Sequence, residues 1–533
     1  MPHRPPTPRL LRALRACAVV PVAAALSWLV GVTPAAQAAP GLPSTNVAWV
    51  PAAVDADIER AFAQAREQRK PVLLYWGATW CPPCNQLKAT FFNRQDFAQQ
   101  ARNLVAVHVD GDRPGAQKLG ARFKVRGYPT VILMRADGTE ISRLASDADP
   151  AQMLALLQAG LAGGRPIQAV LADARAGKPL SANEWRMLAF HGWEVDESQL
   201  VPAAERPAVL AELAARSPAG DSETTMRLWL KALAASDDGK GLKPDAALRQ
   251  RVERVLGEPS LARAHMDVLA GEVSDIVKVL APEEGGERRA LVERYDAALA
   301  RLQADATLSR GDRVSVLIGR VNLARLGQPR DVLQPKLPAA LEREVRETVQ
   351  RFDREIADGY ERQAVVTAGA YALARAGLWS DSDALLQANL ARSHSPYYLM
   401  SQLAGNLRRQ GRTEDALRWY QASFDKAVGP ATRLQWGSGY LAALVDLAPK
   451  DSSRIEKTVS QLFTEAAADK GAFYERSARS LQRVGTKLNE WNKDGSQAAV
   501  LQRLRRQLDG VCAAVDTSDG QRAACEAVLK PRG

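Results

Sequence analysis

The stretch YWGATWCPPCNQLK, Tyr75–Lys88, sets two cysteines two residues apart, with a tryptophan before them and two prolines between. Such a pair can bind a metal, staple a fold or carry electrons, and its surroundings decide among these. Upstream, Val72-Leu73-Leu74-Tyr75-Trp76 is an unbroken apolar run, the pattern of a strand buried on both faces. Gly77-Ala78-Thr79-Trp80 reads as a turn, and Cys81 opens a helix.

The pattern continues outward on both sides. Ile58, Ala61, Phe62 and Ala65 repeat at helical spacing, with Asp55 as N-cap and Lys70-Pro71 as the stop. A second buried strand is predicted over Leu104–Val109 and a helix over Ala116–Phe123. A third strand is predicted over Val131–Met134. Ala136-Asp137-Gly138 turns the chain into Glu140–Leu144. An amphipathic helix over Ala151–Leu161 closes the series. The predicted order is α, β, α, β, α, β, β, α.

The compartment bears on the cysteines. Arg4, Arg9, Arg12 and Arg15 precede an apolar run, Ala16–Val32, and then the small-x-small triplet Ala36-Gln37-Ala38. This is the form of a cleaved secretory signal over residues 1–38, followed by an uncharged tether over 39–53. The expectation is an exported, periplasmic protein, soluble after cleavage, with an uncleaved membrane anchor as the alternative. The net charge of +11 includes the four signal arginines. Acids and bases are interspersed beyond them, with no polybasic stripe, so nucleic acid is not an expected partner. At 533 residues the chain is too long for one core and implies at least two domains.

Cys17 falls in the signal. Four cysteines remain, as two local pairs in an oxidising compartment. The five histidines are scattered, and none has ligand spacing to Cys81 or Cys84. No metal and no cofactor is therefore expected. Cys512 and Cys525 flank a loop containing Asp516-Thr517-Ser518-Asp519-Gly520. A structural disulfide there would contribute roughly 3 kcal/mol; a second redox pair is the alternative.

The element order, with Trp80-Cys81-Pro82-Pro83-Cys84 after the first strand and Gly127-Tyr128-Pro129-Thr130 before the third, resembles the thioredoxin fold over residues 54–163. Within that superfamily it is similar to the C-terminal domain of the bacterial transmembrane disulfide reductase, which shares a continuation like Thr90-Phe91-Phe92-Asn93. The resemblance implies a redox-active pair. Cys81 would be the exposed nucleophile at a helix N-terminus, where the helix dipole favours a thiolate. Cys84, one turn in, would resolve the mixed disulfide. Pro129 would be cis and lie beside the pair. The backbone of Tyr128 would pair with an incoming peptide, and Trp80 would shield one side of the sulfurs. Substrates would be protein disulfides or dithiols, with a membrane-bound or soluble redox partner.

The prolines refine this expectation. Pro82 and Pro83 occupy the first helical positions, where proline is tolerated but supplies no N–H. The thiolate then has the Cys84 N–H and those beyond it, and no charge between the cysteines. A modestly stabilised thiolate means a lower potential, which favours a reductase or isomerase over a primary oxidant. One departure concerns proton transfer: thioredoxins carry a buried acid six residues before the first cysteine, and here that position is Tyr75.

From Arg165 to Gly533 the sequence changes character. It is rich in Ala, Leu, Arg and Glu, broken by short Gly- or Pro-marked turns. Gly411-Arg412-Thr413-Glu414-Asp415-Ala416-Leu417-Arg418-Trp419-Tyr420 resembles the centre of a tetratricopeptide repeat, and a weaker copy begins at Gly377, 34 residues earlier. The expected architecture is a thioredoxin-like α/β domain followed by an all-α, repeat-like solenoid that holds a partner or substrate. Trp185, Trp193, Trp229, Trp379, Trp419, Trp436 and Trp491 are expected in its core, and His191 and His394 in packing or surface positions. The competing function is a non-catalytic binding scaffold, in which the thioredoxin-like domain is only a platform and its disulfide only structural.

Overall fold

In the computed structural model, residues 47–195, 200–218, 222–236, 241–518 and 520–530 are described. The signal segment 1–38 and the first part of the tether lie outside them. No described helix is long and apolar enough to cross a membrane.

A five-stranded sheet is built from β1 (Val50–Ala52), β2 (Val72–Gly77), β3 (Val105–Asp110), β4 (Thr130–Met134) and β5 (Glu140–Leu144). The spatial order is β1-β3-β2-β4-β5. β1, β3 and β2 run parallel, and β4 and β5 are antiparallel to their neighbours. Interleaved with them are α1 (Asp55–Gln68), α2 (Pro82–Leu87), α3 (Gln95–Ala101), α4 (Ala116–Arg122) and α5 (Pro150–Leu161). A wider π turn, Lys88–Phe92, continues α2 before α3 starts.

β1 is an element the sequence reading missed. It falls in residues expected to be tether, yet Trp49 beside it is buried against Phe92, Phe97 and Tyr75. Three residues interrupted by Pro51 leave too little pattern to read as a strand. The α1 N-terminus also differs. The N-cap is Val54, and the Asp57 carboxylate reaches back to accept the N–H groups of Ala53 and Val54 at 2.8 and 3.1 Å.

Alternation along β2 divides the sheet between two cores. Val72, Leu74 and Trp76 face α1 and α4, packing on Ile58, Phe62, Val107 and Leu119. Leu73 and Tyr75 face the other way, onto Phe91, Phe92 and α5. That second core does not stop at Gly163. It runs on through Ile167, Val170, Trp185, Trp193 and Leu213 to Leu228 and Ala232. Residues 190–192 also lie along β5: the Ala145 N–H donates to the Phe190 carbonyl at 3.3 Å and the Gly192 N–H to that of Arg143 at 2.9 Å. The boundary in composition near residue 164 is therefore not a boundary in packing, and the described residues behave as one compact unit.

Beyond α5 the described residues form helices from Ile167–Arg175 to Gln521–Glu526, mostly packed on sequence neighbours. Gly377 and Gly411 both adopt left-handed backbone, φ +80° and +75°, each between two helices in contact. A side chain there would be strained, which is why the 34-residue echo is carried by glycine. Cys512 and Cys525 are disulfide-bonded and buried near the end of the chain.

The shared core makes a measurable claim. Trp193 is 1% exposed and its indole N–H donates to the Leu188 carbonyl at 3.0 Å. Trp193→Ala should cost about 3–5 kcal/mol. Amide exchange in β2 and β4 should accelerate with it; unchanged protection there would mean that sheet and helices unfold independently.

Candidate functional site

β2 delivers the chain to the cysteines. Its buried run ends at Gly77, and the Cys81 N–H then donates to the Ala78 carbonyl at 3.2 Å. Cys81 is the N-cap of α2, with Pro82 and Pro83 next. The Cys84 N–H points back to Cys81 Sγ at 3.2 Å. Cys81 and Cys84 form a disulfide with Cα atoms 5.2 Å apart. Buried Asn85 pins the loop: its side-chain amide donates to the carbonyls of Thr79 and Cys81, both at 2.8 Å.

The Tyr128–Pro129 peptide bond is cis. The Tyr128 hydroxyl accepts from Gln117 Nε2 at 3.0 Å, and the same nitrogen donates to the Gly111 carbonyl at 2.7 Å. Ala78, Cys81 and Cys84 form a small apolar cluster, with Trp80 and Tyr128 against it.

Cys81 is not exposed, contrary to the sequence expectation: it is 2% accessible and Cys84 fully buried. Helices hundreds of residues away in sequence cover the loop. Trp80 stacks parallel to Tyr398 at 5.9 Å and meets Trp436 edge-on at 5.0 Å. Its indole N–H lies 2.9 Å from both Asp112 Oδ2 and Thr432 Oγ1. The Arg476 guanidinium sits over the rings of Trp80 and Tyr128, at 5.2 and 5.3 Å, and pairs with Asp112. His394 Nε2 lies 3.0 Å from the Thr79 carbonyl. Trp436 and His394, expected as packing residues of the helical part, thus pack on the redox loop. Asp112, Thr432 and Arg476 carried no local signal in the sequence, because only folding brings them together.

Beneath the disulfide, the position of the missing acid holds a buried aromatic. Tyr75 stacks on His108 at 5.0 Å, and its hydroxyl has no hydrogen-bond partner among the described residues. Lys88, one turn after Cys84 on the same helical face, is 1% exposed with its ammonium 5.0 Å from the Tyr360 ring. Burial pushes the Lys88 pKa down to about 8, against the pull of Asp110. Burial also depresses His108 to about 3, with Lys88 adding to the effect. Asp110 goes the other way: burial and then Asp112 raise it above the usual carboxylate range, while Lys88 and Arg476 pull it back.

A groove of about 550 Å³ opens on the Pro82–Pro83 side of the loop, walled by Ile318, Tyr371, Tyr398, Tyr420 and Trp436.

Residues 58–161 match the thioredoxin-like domain family. This segment is a thioredoxin-like domain. Over 108 residues the chain is 32% identical to the thiol:disulfide interchange protein DsbD 1 of Pseudomonas aeruginosa, covering 20% of this chain and 18% of that protein. Over 131 residues it is 30% identical to the thiol:disulfide interchange protein DsbD of Klebsiella pneumoniae subsp. pneumoniae, covering 24% and 21%. The chain therefore spans about a fifth of the length of these relatives. A thioredoxin from Thermus thermophilus, solved in solution, matches at 24% identity with a TM-score of 0.19, over 21% of this chain and 86% of that one.

The buried lysine yields a pH dependence. Its pKa is near 8 when folded and 10.5 when unfolded, so between these values the unfolded chain binds more protons and stability rises with pH. Below about pH 8 both states are protonated and the cost of burying the ammonium is constant. Urea midpoints should therefore increase from pH 8 to 10, by up to about 3 kcal/mol in stability. Lys88→Met should flatten the rise; a slope unaltered by this substitution would place its origin elsewhere.

Proposed function

We propose that this protein is an exported thiol–disulfide oxidoreductase, working as a reductase or isomerase through Cys81 and Cys84. The observation that carries the reading is the Cys81–Cys84 disulfide at the N-cap of α2, inside a thioredoxin-like domain and with a cis proline at residue 129. The partial identity to DsbD interchange proteins supports it.

In the reduced form, the Cys81 thiolate attacks one sulfur of a substrate disulfide. The substrate's other sulfur leaves as a thiolate and takes a proton. Cys84 then loses its proton and attacks Cys81 Sγ, closing the disulfide and releasing the second substrate thiol. Two electrons and two protons pass to the substrate, and a membrane-bound or soluble dithiol partner restores the pair. Trp80, Tyr128 and Pro129 border the sulfurs and are assigned to substrate contact. The helical region, read as a repeat-like solenoid, is assigned to holding the partner, and Cys512–Cys525 to stapling its last helices.

Pro82 and Pro83 set the poise. With no N–H on either, one backbone donor, that of Cys84, reaches Cys81 Sγ in the folded loop. This weak stabilisation of the thiolate favours the disulfide and hence the reducing direction.

The burial of both sulfurs favours a second reading, a protein-binding scaffold with a structural disulfide. Insulin reduction with dithiothreitol separates the two. Turnover above the Cys81→Ser background is expected; background rates that persist in a variant whose Cys81 is accessible to alkylation would establish the scaffold. A second measurement tests the prolines. Pro83→His should raise the potential of the couple by roughly 20–45 mV, through about 1–2 kcal/mol of thiolate stabilisation. A glutathione titration that shows a lower potential would overturn that account.

A further inference from the structure

A thioredoxin-like site needs two open surfaces to act on a protein: the attacking sulfur, and the backbone before the cis proline where an extended peptide can pair. The sulfur is covered here by the protein itself, and the loop before the cis proline is contacted by it at the Arg126 carbonyl and the Tyr128 ring. The first turn of the helix Glu475–Trp491 lies along that backbone. The Arg479 guanidinium donates to the Arg126 carbonyl at 2.9 Å, and the Arg476 N–H donates to Gln117 Oε1 at 3.0 Å. Glu475 faces Arg126 at 3.7 Å. The Arg476 side chain then crosses Tyr128 and Trp80 to reach Asp112, and donates to Gln435 Oε1 at 3.0 Å and Thr432 Oγ1 at 3.2 Å.

Two features distinguish this cover from a permanent core. Where the helix Glu475–Trp491 meets the domain, it is joined through polar groups. The apolar clusters at the junction are small: one is Ala78, Cys81 and Cys84, the other Tyr397, Ala427 and Trp436, and neither is continuous with the large cores. The contact also carries internal costs. Glu475, the first residue of the covering helix, sits at φ +38°, which a non-glycine residue adopts only under constraint. Arg476 Nε and Ser477 Oγ are buried without a hydrogen-bond partner among the described residues. A closed state with strained and unsatisfied groups at the Glu475–Ser477 contact is poised for release there.

We propose that the C-terminal helices are an intramolecular cover that holds the redox centre closed to protein disulfides, and that the Arg476–Asp112 pair is its latch. The inference rests on the oxidoreductase reading for its meaning, but the cover is measurable without turnover. Both partners of the pair are nearly buried, with side chains 11% and 12% exposed. Removing one leaves the other charge unpaired in the closed state, which favours opening.

The test uses the full chain, reduced, with Cys81 as the reporter. The alkylation rate by a polyethylene-glycol maleimide is compared between wild type and Arg476→Ala, with insulin reduction measured alongside. The latch predicts alkylation at least tenfold faster in Arg476→Ala, with insulin turnover rising in parallel. Arg476→Lys keeps the charge but loses the second nitrogen, which holds Thr432 and Gln435. It should give a two- to fivefold increase, and it carries the test if the alanine variant does not fold by circular dichroism. Faster alkylation without insulin turnover in any variant would uphold the cover and overturn the oxidoreductase reading. Turnover with equal alkylation rates in wild type and both variants would uphold that reading and overturn the latch.

Discussion

The two-sided burial of β2 is the constraint on which the rest depends. All six of its residues are buried, and alternate residues belong to different cores. One face is closed by the domain's own α1 and α4. The other is closed by the π turn, α3 and α5, and then by helices as far as Ala232. Because side chains alternate strictly along a strand, a one-residue slip would exchange Tyr75 for Trp76 between two packed interiors. The strand is therefore fixed in register, and so is the turn at Gly77 that sets Cys81 at the start of α2. The position of the redox pair is decided by packing well below it.

The same packing accounts for Tyr75 at the place of the thioredoxin acid. A carboxylate there would lie among Trp49, Phe92 and His108, in an interior that already keeps His108 neutral. An ionised group in such surroundings is expensive unless paired. The charged groups of this region, Lys88 on the helix side and Asp110 at the strand end, are themselves buried or half-buried. Each moderates the shift of the other, and burial weakens the charge on both. Burial, and not the aromatic ring itself, sets the direction of both shifts.

What was legible in the sequence was what local pattern encodes. The run Val72–Trp76, the second strand, the helical face Ile58–Ala65 and the hairpin at Asp137-Gly138 are signalled within a few residues, and each element lies within one or two residues of its predicted limits. Trp80, Cys81, Cys84, Tyr128 and Pro129 could be placed because motif spacing survives without long-range information. β1 was not legible, since three residues with a central proline show no alternation. Neither was the continuity of the core past Gly163, because composition changes there while packing does not. The contacts of Arg476 with Asp112 join residues 364 apart in sequence, and nothing near either marks it for the other.

That distant contact changes what selectivity at the redox pair depends on. In an open thioredoxin-like site, a substrate is chosen by how its peptide lies across the cis-proline loop. Here Arg479 holds the Arg126 carbonyl and Arg476 covers the Tyr128 ring, so in the oxidoreductase reading a substrate competes first with part of the same chain. Competition with a tethered segment is intramolecular, and its effective concentration exceeds that of a dilute free partner. A protein disulfide with no affinity beyond the peptide around its sulfurs is then at a disadvantage. One that also engages the uncharged aromatic groove beside Pro82 and Pro83 gains contacts beyond the cis-proline loop. In the oxidoreductase reading, the helical region and the redox pair form one recognition device, with the groove admitting a partner and the Arg476 contact excluding what the groove does not hold.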